Sequence, residues 1–260
     1  MQPEQTPYQK KASALKQEVQ HFLDSTNFDP PTGQYPVFIS PSNSEYRANV
    51  YVSTNKNFST AWNNASTKAE SAIEDSQHPI KYLKCSIAYN LMTVKPDELA
   101  EFLQESTKNY FFYGIAFDTK FQTALLESEC NTTDIYNYET GELDLGTINE
   151  YLSANGRNTL SQLPEKYILF QTYDWFCDEN DQVVQLDYDT YNHGHRKVEN
   201  VDETLVENIT TSAAQYLIEN MDQNTGKFDY AYFPITDERA INYNIVRHAG
   251  APGMNKSPGP

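Results

Sequence analysis

The residues best suited to chemistry lie near the end of the 260-residue chain, where residues 243–250 combine an amide, a guanidinium and an imidazole. Residues four apart share a helix face, so we predict that Tyr243 lies above Arg247 and Asn244 above His248. Arg247 can hold a carboxylate or sugar hydroxyls, and His248 can exchange a proton near neutral pH. An ordinary helix C-terminus also favours Arg and His, because they interact with the helix dipole and free carbonyls. Both interpretations stay open.

A second candidate is the aromatic run over residues 228–234, in which Tyr230 and Tyr232 alternate beside Asp229. Aromatic rings next to a carboxylate are typical of the floor and rim of a carbohydrate site. A strand that packs its rings into a core has the same pattern, and the core interpretation is favoured. Only the binding site requires rings that solvent can reach.

Residues 216–230 and 243–250 together resemble the entry into the α/α-toroid of glucuronyl C5-epimerase-like and N-acylglucosamine 2-epimerase-like proteins. In such proteins a helical barrel binds sugar in a cleft lined by aromatic, Arg and His side chains. The resemblance implies that a glycan lies near Tyr230, Tyr232, Tyr243, Arg247 and His248. A complete toroid needs several more helical hairpins, whereas only a Pro/Gly tail follows here. We therefore expect either the N-terminal portion of a longer protein or a helix with a different purpose.

The function expected from these features is that of a carbohydrate-active protein, part of a sugar epimerase- or glycoside hydrolase-like enzyme. His248 would be the acid or base and Arg247 would orient a carboxylate of the sugar. No cofactor or metal is expected. The residues expected to bind the glycan or small sugar are Asp229, Tyr230, Tyr232, Tyr243 and Asn244. The alternative is a non-catalytic acidic module that binds a protein partner or another copy of the chain through its C-terminal helix.

Two further motifs are weaker candidates. His193 and His195 could offer imidazoles to a metal beside Asp187 and Asp189, but no third spaced ligand is evident, so a surface loop is favoured. Asp118 follows an apolar strand, where α/β sheets often present functional groups. We expect it to cap the following helix instead.

Composition limits the function classes. A net charge of -17 argues against nucleic-acid binding, because phosphate backbones would be repelled. No apolar run of about 18 residues predicts a membrane span, so we expect a soluble protein, cytoplasmic in preference to secreted with its signal removed. Three widely spaced cysteines, Cys85, Cys130 and Cys177, are predicted to be buried thiols.

Hydrophobic spacing predicts alternating helices and strands, and hence an α+β fold with a mixed or antiparallel sheet and helices packed on it. A C-terminal helical segment would be the start of the incomplete toroid. Predicted strands cover residues 37–40, 46–52, 80–94, 111–117, 167–177 and 182–187. Predicted helices cover residues 10–25, 59–73, 96–103, 120–130, 148–152, 205–217 and 237–250. The expected divisions are an N-terminal helix and linker (1–33), the α+β domain (34–200), the helical segment (201–250) and a flexible tail (251–260).

Overall fold

The computed structural model describes residues 5–44, 47–74, 79–105, 111–132, 135–137, 139–188, 193–198, 200–228, 232–233 and 238–239. They belong to two compact units, Met1–Lys197 and Val198–Pro260. Helices packed on an antiparallel sheet confirm the predicted α+β class. Over the ranges described, no helix combines the length and apolar character needed to cross a membrane.

The described residues form six α-helices, several of which begin at a side-chain cap. Thr6 and Gln9 form a capping box at the first helix, while Asp144 and Asp202 cap the fifth and sixth. Such caps satisfy backbone N–H groups that have no partner within the helix. The helices are α1 (Pro7–Ser25), α2 (Phe58–Glu74), α3 (Pro96–Glu105), α4 (Glu127–Thr132), α5 (Leu145–Ala154) and α6 (Glu203–Glu219).

The strands of the first unit form one antiparallel sheet in the order β2-β1-β3-β6-β4-β5, with β7 also paired to β6. β1 pairs with β2 and β6 pairs with β7, so each of these strand pairs forms a hairpin, although β2 begins at Tyr51 and not at the predicted residue 46. The strands of this sheet are β1 (Tyr35–Ser42), β2 (Tyr51–Asn55), β3 (Tyr82–Val94), β4 (Gly114–Ala116), β5 (Ala124–Leu125), β6 (Tyr167–Cys177) and β7 (Val183–Gln185).

One face of the sheet is covered by α1 and α2. Successive strand residues point to opposite faces, so alternate residues of β1, β3 and β6 meet the helices. Lys11 of α1 is buried too, and its Nζ donates to Asp181 Oδ1 at 2.7 Å in the β6–β7 turn. The apolar core of this face includes Leu15, Val19, Val37, Ile39, Trp62, Leu83, Ile87 and Trp175.

The opposite face is covered by the segment between β4 and α4. Phe38 of β1 stacks on Phe170 of β6 with ring centroids 5.5 Å apart, and Phe121 meets Phe170 edge-on at 5.2 Å. All three rings are buried. The sheet therefore has an apolar core on both faces, which fixes the register of its strands.

The helix predicted over residues 120–130 is wrong in its first half. Asp118 does not cap a helix; its carboxylate accepts hydrogen bonds from the N–H groups of Lys120, Gln122 and Thr123. This turn places Phe121 at a φ of 56° and returns the chain as β5, and α4 begins only at Glu127. A short polar side chain that binds nearby backbone amides competes with helix formation.

The three cysteines are buried and unpaired, as predicted. Burial raises the pKa of the Cys85 thiol, and a nearby Asp174 charge adds to the effect. Burial also raises the pKa of Cys130 and Cys177. A buried neutral thiol packs as a small apolar side chain.

The second unit contains α6, a turn at Asp222 and the strands β8 (Tyr232–Phe233) and β9 (Glu238–Arg239), which pair antiparallel. Asp222 accepts hydrogen bonds from the backbone N–H groups of Asn224 and Thr225, which forms a turn after α6. The helix predicted from residue 237 is wrong at Glu238–Arg239, because strand pairing with β8 takes the place of the first helical turn. Residues 240–250 of that prediction lie outside the described residues.

Candidate functional site

A polar and aromatic cleft of about 620 Å³ lies in the Met1–Lys197 unit, beside the middle of β3 and β6 and the end of β7. Its lining combines two tyrosine rings, two side-chain amides, a carboxylate and an ammonium group. We call it the tyrosine cleft, and it is lined by Tyr89, Gln171, Gln185, Leu186, Asp187, Tyr188 and Lys197.

An irregularity in β3 positions one wall of the tyrosine cleft. The β3–β6 register shifts between Tyr89 and Met92, and Asn90 has a φ of 49°. A bulge of this kind re-aims the side chains around it. Asn90 Nδ2 donates to Gln171 Oε1 at 2.7 Å, which fixes the Gln171 amide across the bulge. The strand predicted over residues 80–94 is confirmed as β3, and the bulge lies within it.

The aromatic side of the tyrosine cleft is held by stacking. The Tyr89 ring stacks on the Tyr173 ring with centroids 4.0 Å apart, and Tyr188 meets the edge of Tyr173 at 5.0 Å. Phe22 of α1 also packs against Tyr173, with ring centroids 4.9 Å apart. Tyr188 nevertheless stays 48% exposed as a residue, so a ligand can reach its side chain.

The polar side of the tyrosine cleft has an unused donor. Gln185 Nε2 is buried and has no hydrogen-bond partner within the described part of the chain. A buried amide without a partner costs about 1–3 kcal/mol, and a ligand acceptor would recover that loss if the Gln185 side chain turned its Nε2 into the cleft. Burial raises the pKa of Tyr89 to about 12, and the neighbouring Tyr173 adds to this shift. The Tyr89 hydroxyl is therefore neutral and can donate as well as accept.

The segment that carries Tyr188 is tied to β6 and to itself. Leu186 N–H donates to Asp174 O at 2.8 Å, and Asp187 N–H donates to His195 O at 2.8 Å. Gly194 N–H donates to the Asp187 carbonyl oxygen at 2.9 Å. These bonds close a loop whose two ends, at Asp187 and Lys197, both line the tyrosine cleft.

His193 anchors this loop to the rest of the unit. Its side chain is only 6% exposed, with Nδ1 2.5 Å from Glu127 Oε2 and Nε2 3.3 Å from the Thr172 carbonyl oxygen. Oxygen atoms therefore face both ring nitrogens: Glu127 Oε2 at ion-pair distance, without hydrogen-bond geometry, and the Thr172 carbonyl oxygen at hydrogen-bond distance. A neutral ring would direct a lone pair at one of these oxygens.

Asp174 supplies a second negative charge near His193, in addition to Glu127. Its Oδ2 lies 4.0 Å from His193 Nε2 and 3.3 Å from Lys84 Nζ, and it accepts from Thr172 Oγ1 at 3.2 Å. The other oxygen, Oδ1, and the facing Ser86 Oγ are buried without a partner among the described residues. The Asp174 and His193 side chains are almost sealed from solvent, so this cluster positions the loop and does not offer a ligand surface.

These contacts set the charge state of His193. Burial alone lowers the pKa of an imidazole, but the contact with Glu127, the charges of Glu127 and Asp174 and the Thr172 carbonyl outweigh burial. The pKa of His193 is consequently raised above its usual value. The imidazolium then contributes stability that is complete below the unfolded pKa of about 6.5 and is lost as pH rises through the folded pKa.

We therefore expect His193→Gln to destabilise the protein more in weak acid than in weak base. Unfolding by urea would be followed at about pH 5.5, below the unfolded pKa of histidine, and at about pH 9, well above it. The exposed His195 gives a matched control, and His195→Gln should destabilise the protein less than His193→Gln at about pH 5.5. An equal cost of His193→Gln at the two pH values would contradict a charged His193.

His193 and His195 both lie in a loop, as favoured from the sequence, but the His193 side chain is buried whereas His195 is exposed. The described residues contain no group of three His, Cys, Asp or Glu side chains arranged to hold a metal. Sequence spacing could not reveal the partner of His193, because Glu127 comes from a distant helix. The same limit applies to the tyrosine cleft, whose walls come from separate strands.

The site predicted at the C-terminal end is not assembled by the residues that the structure describes. Tyr232 lies in β8, of which the backbone pairing alone is described. The remaining members of the predicted site lie outside the described residues: Asp229, Tyr230, Tyr243, Asn244, Arg247 and His248. That site stays a prediction.

Comparison with known proteins adds no family. No protein-family model matches the chain, and neither a curated protein nor a solved structure is significantly similar to it. The epimerase-like resemblance therefore stays a prediction from the sequence. A functional proposal has to rest on the geometry of the chain itself.

Proposed function

We propose that the protein binds a sugar or short glycan, and that the tyrosine cleft is its binding surface. The observation that supports this proposal is the combination of an accessible Tyr188 side chain with the buried, unpartnered amide of Gln185. The expected ligand class is the one predicted from the sequence. The proposed position is different, because it lies on the sheet unit.

Sugars present two kinds of surface, and the tyrosine cleft has groups for both. Their C–H faces pack on aromatic rings, here Tyr89 and Tyr188, whereas their hydroxyls need planar donors and acceptors. The same cleft is lined by the side-chain amides of Gln171 and Gln185, the carboxylate of Asp187 and the ammonium group of Lys197. A volume of about 620 Å³ is within the range of small-ligand sites.

The proposal concerns binding and assigns no reaction to the tyrosine cleft. An epimerase- or hydrolase-like activity would need an acid or base at the sugar, and His248 with Arg247 are the residues predicted for that role. Binding at the tyrosine cleft would hold a glycan whether or not that second site is active. The two proposals can therefore fail separately.

The test begins with a glycan array and continues with calorimetry on the glycans retained by the wild-type chain. Tyr188→Ala should weaken binding about tenfold, because it removes an aromatic contact worth about 0.5–1.5 kcal/mol beyond its area. The matched control is Tyr216→Ala, which removes a 64% exposed ring from α6 in the other unit. The control should bind as the wild type does.

Gln185→Leu provides an independent check. It removes the unpartnered amide from a buried position, so glycan binding should be lost while the free energy of unfolding stays equal or rises. A merely structural glutamine would show the opposite pattern, with lower stability and unchanged binding. Failure of the wild-type chain to bind any glycan, or wild-type affinity in both Tyr188→Ala and Gln185→Leu, would overturn the proposal.

A further inference from the structure

We propose that the open edge of β2 is a docking site for an extended acidic peptide segment of a partner protein. This site is separate from the tyrosine cleft and does not depend on sugar binding. Strand addition to a sheet edge obtains affinity from main-chain hydrogen bonds and specificity from neighbouring side chains. The β2 edge provides both.

The register of β2 shows which of its backbone groups are free. In the described residues β2 pairs with β1 alone, and Pro36 of β1 lies opposite Thr54. Proline has no N–H, so Pro36 and Thr54 are one of the opposite pairs that exchange no backbone hydrogen bonds with each other. Backbone groups of residues two apart in a strand point to the same side. The N–H and C=O groups of Val52 and Thr54 therefore point toward the open edge.

Side chains around the edge agree with this assignment. Lys68 of α2 donates from Nζ to the Val52 carbonyl oxygen at 3.0 Å, which requires that carbonyl to point away from β1. Thr54 Oγ1 is buried and has no hydrogen-bond partner among the described residues. The groups left for a docking strand are thus the N–H groups of Val52 and Thr54 and the C=O group of Thr54, because the Val52 C=O is bound by Lys68.

The edge forms one wall of a cleft of about 610 Å³, which we call the β2 cleft. The opposite wall comes from the β4–β5 turn and from the chain after α5. Its side chains are amides and cations, which can bind a peptide strand from its far side. They are Lys120, Gln122, Asn155, Arg157 and Asn158.

Charge selects the kind of peptide. The described residues that line the β2 cleft include Lys68, Lys120 and Arg157 and no carboxylate, although the whole chain has a net charge of -17. Arg157 is already paired with Glu129 at 2.9 Å, so the attraction comes chiefly from the two lysines. An acidic segment would be repelled by most of the surface and attracted here.

The probe is a capped hexapeptide in which valine and glutamate alternate, and the first readout is amide hydrogen exchange. Bound peptide should slow exchange at Val52 and Thr54, because their N–H groups gain partners. Exchange at Tyr51 and Ser53 should change little, since these residues already pair with β1. The same hexapeptide with glutamine in place of glutamate should bind more weakly.

Charge reversal is the second readout. The double variant Lys68→Glu and Lys120→Glu should weaken hexapeptide binding about tenfold or more, and the loss should shrink at high salt. Lys166→Glu makes the same kind of charge change at an exposed position outside the β2 cleft and should leave binding within about twofold.

Three outcomes would overturn the proposal. The first is an absence of hexapeptide binding by the wild-type chain. The second is hexapeptide binding that does not slow amide exchange at Val52 and Thr54. Such binding would indicate an anion site that holds free glutamate as well as it holds the peptide. The third is slower exchange at those residues in concentrated protein without peptide, together with a dimer in sedimentation, which would assign the edge to a second copy of the chain.

Discussion

Glu129→Ala is expected to lower the free energy of unfolding by about 3–5 kcal/mol, the usual cost of breaking a buried ion pair. Glu129 is almost fully buried, and its Oε1 accepts from Tyr151 Oη at 2.7 Å and from Arg157 at 2.9 Å. Its Oε2 accepts from Leu126 N–H at 2.7 Å. Alanine would leave a cation, a phenol and a backbone amide without this acceptor.

Urea unfolding at neutral pH measures this loss. The control is Glu150→Ala on α5, which removes the same side chain from an exposed position and should change stability by less than about 0.5 kcal/mol. A loss below about 1 kcal/mol for Glu129→Ala would mean that the buried cluster is not formed as described. Because Glu129 fixes Arg157, the variant should also loosen the far wall of the β2 cleft.

Gly141→Ala is expected to cost about 3 kcal/mol or more, for two reasons that add. Gly141 has a φ of 73°, which an L side chain rarely adopts. A Cβ atom there would also meet the backbone of Ala100 in α3, which cannot move aside as a flexible side chain would. The buried position of Gly141 leaves no room for the methyl group.

Gly156→Ala separates the two contributions. Gly156 has a φ of 63°, but nothing lies within 4 Å of the added Cβ, so only the conformational cost of about 1–2 kcal/mol applies. Differential scanning calorimetry of both variants should therefore show a clearly lower Tm for Gly141→Ala. Equal Tm values would contradict the close approach of residue 141 to α3.

Local patterns in the sequence predict much of the fold. The apolar spacing of α1 and the turn residues between β6 and β7 are short-range signals, and both elements lie where they are expected. The helix over residues 120–130 failed because Asp118 binds three backbone N–H groups and forms a turn, which apolar spacing does not reveal. The helix from residue 237 failed at Glu238–Arg239 because pairing with β8 is a tertiary effect.

The candidate site was harder to predict than the fold. Tyr89 faces the tyrosine cleft because β3 has a bulge, and Tyr188 reaches it because His193 is bound to Glu127. Each of these causes depends on residues far apart in sequence. Gln185 has no sequence signal at all, since its importance comes from the absence of a partner for its buried amide in the described residues.

The most direct test of sugar binding at the tyrosine cleft is a two-dimensional NMR titration of the isotopically labelled full chain with the best glycan from the array. The account predicts that the side-chain amide signals of Gln185 and the backbone signals of Tyr89 and Tyr188 shift together and saturate with one affinity. Shifts at Arg247 and His248 with none at Gln185 would contradict it and would assign the glycan to the C-terminal residues predicted from the sequence.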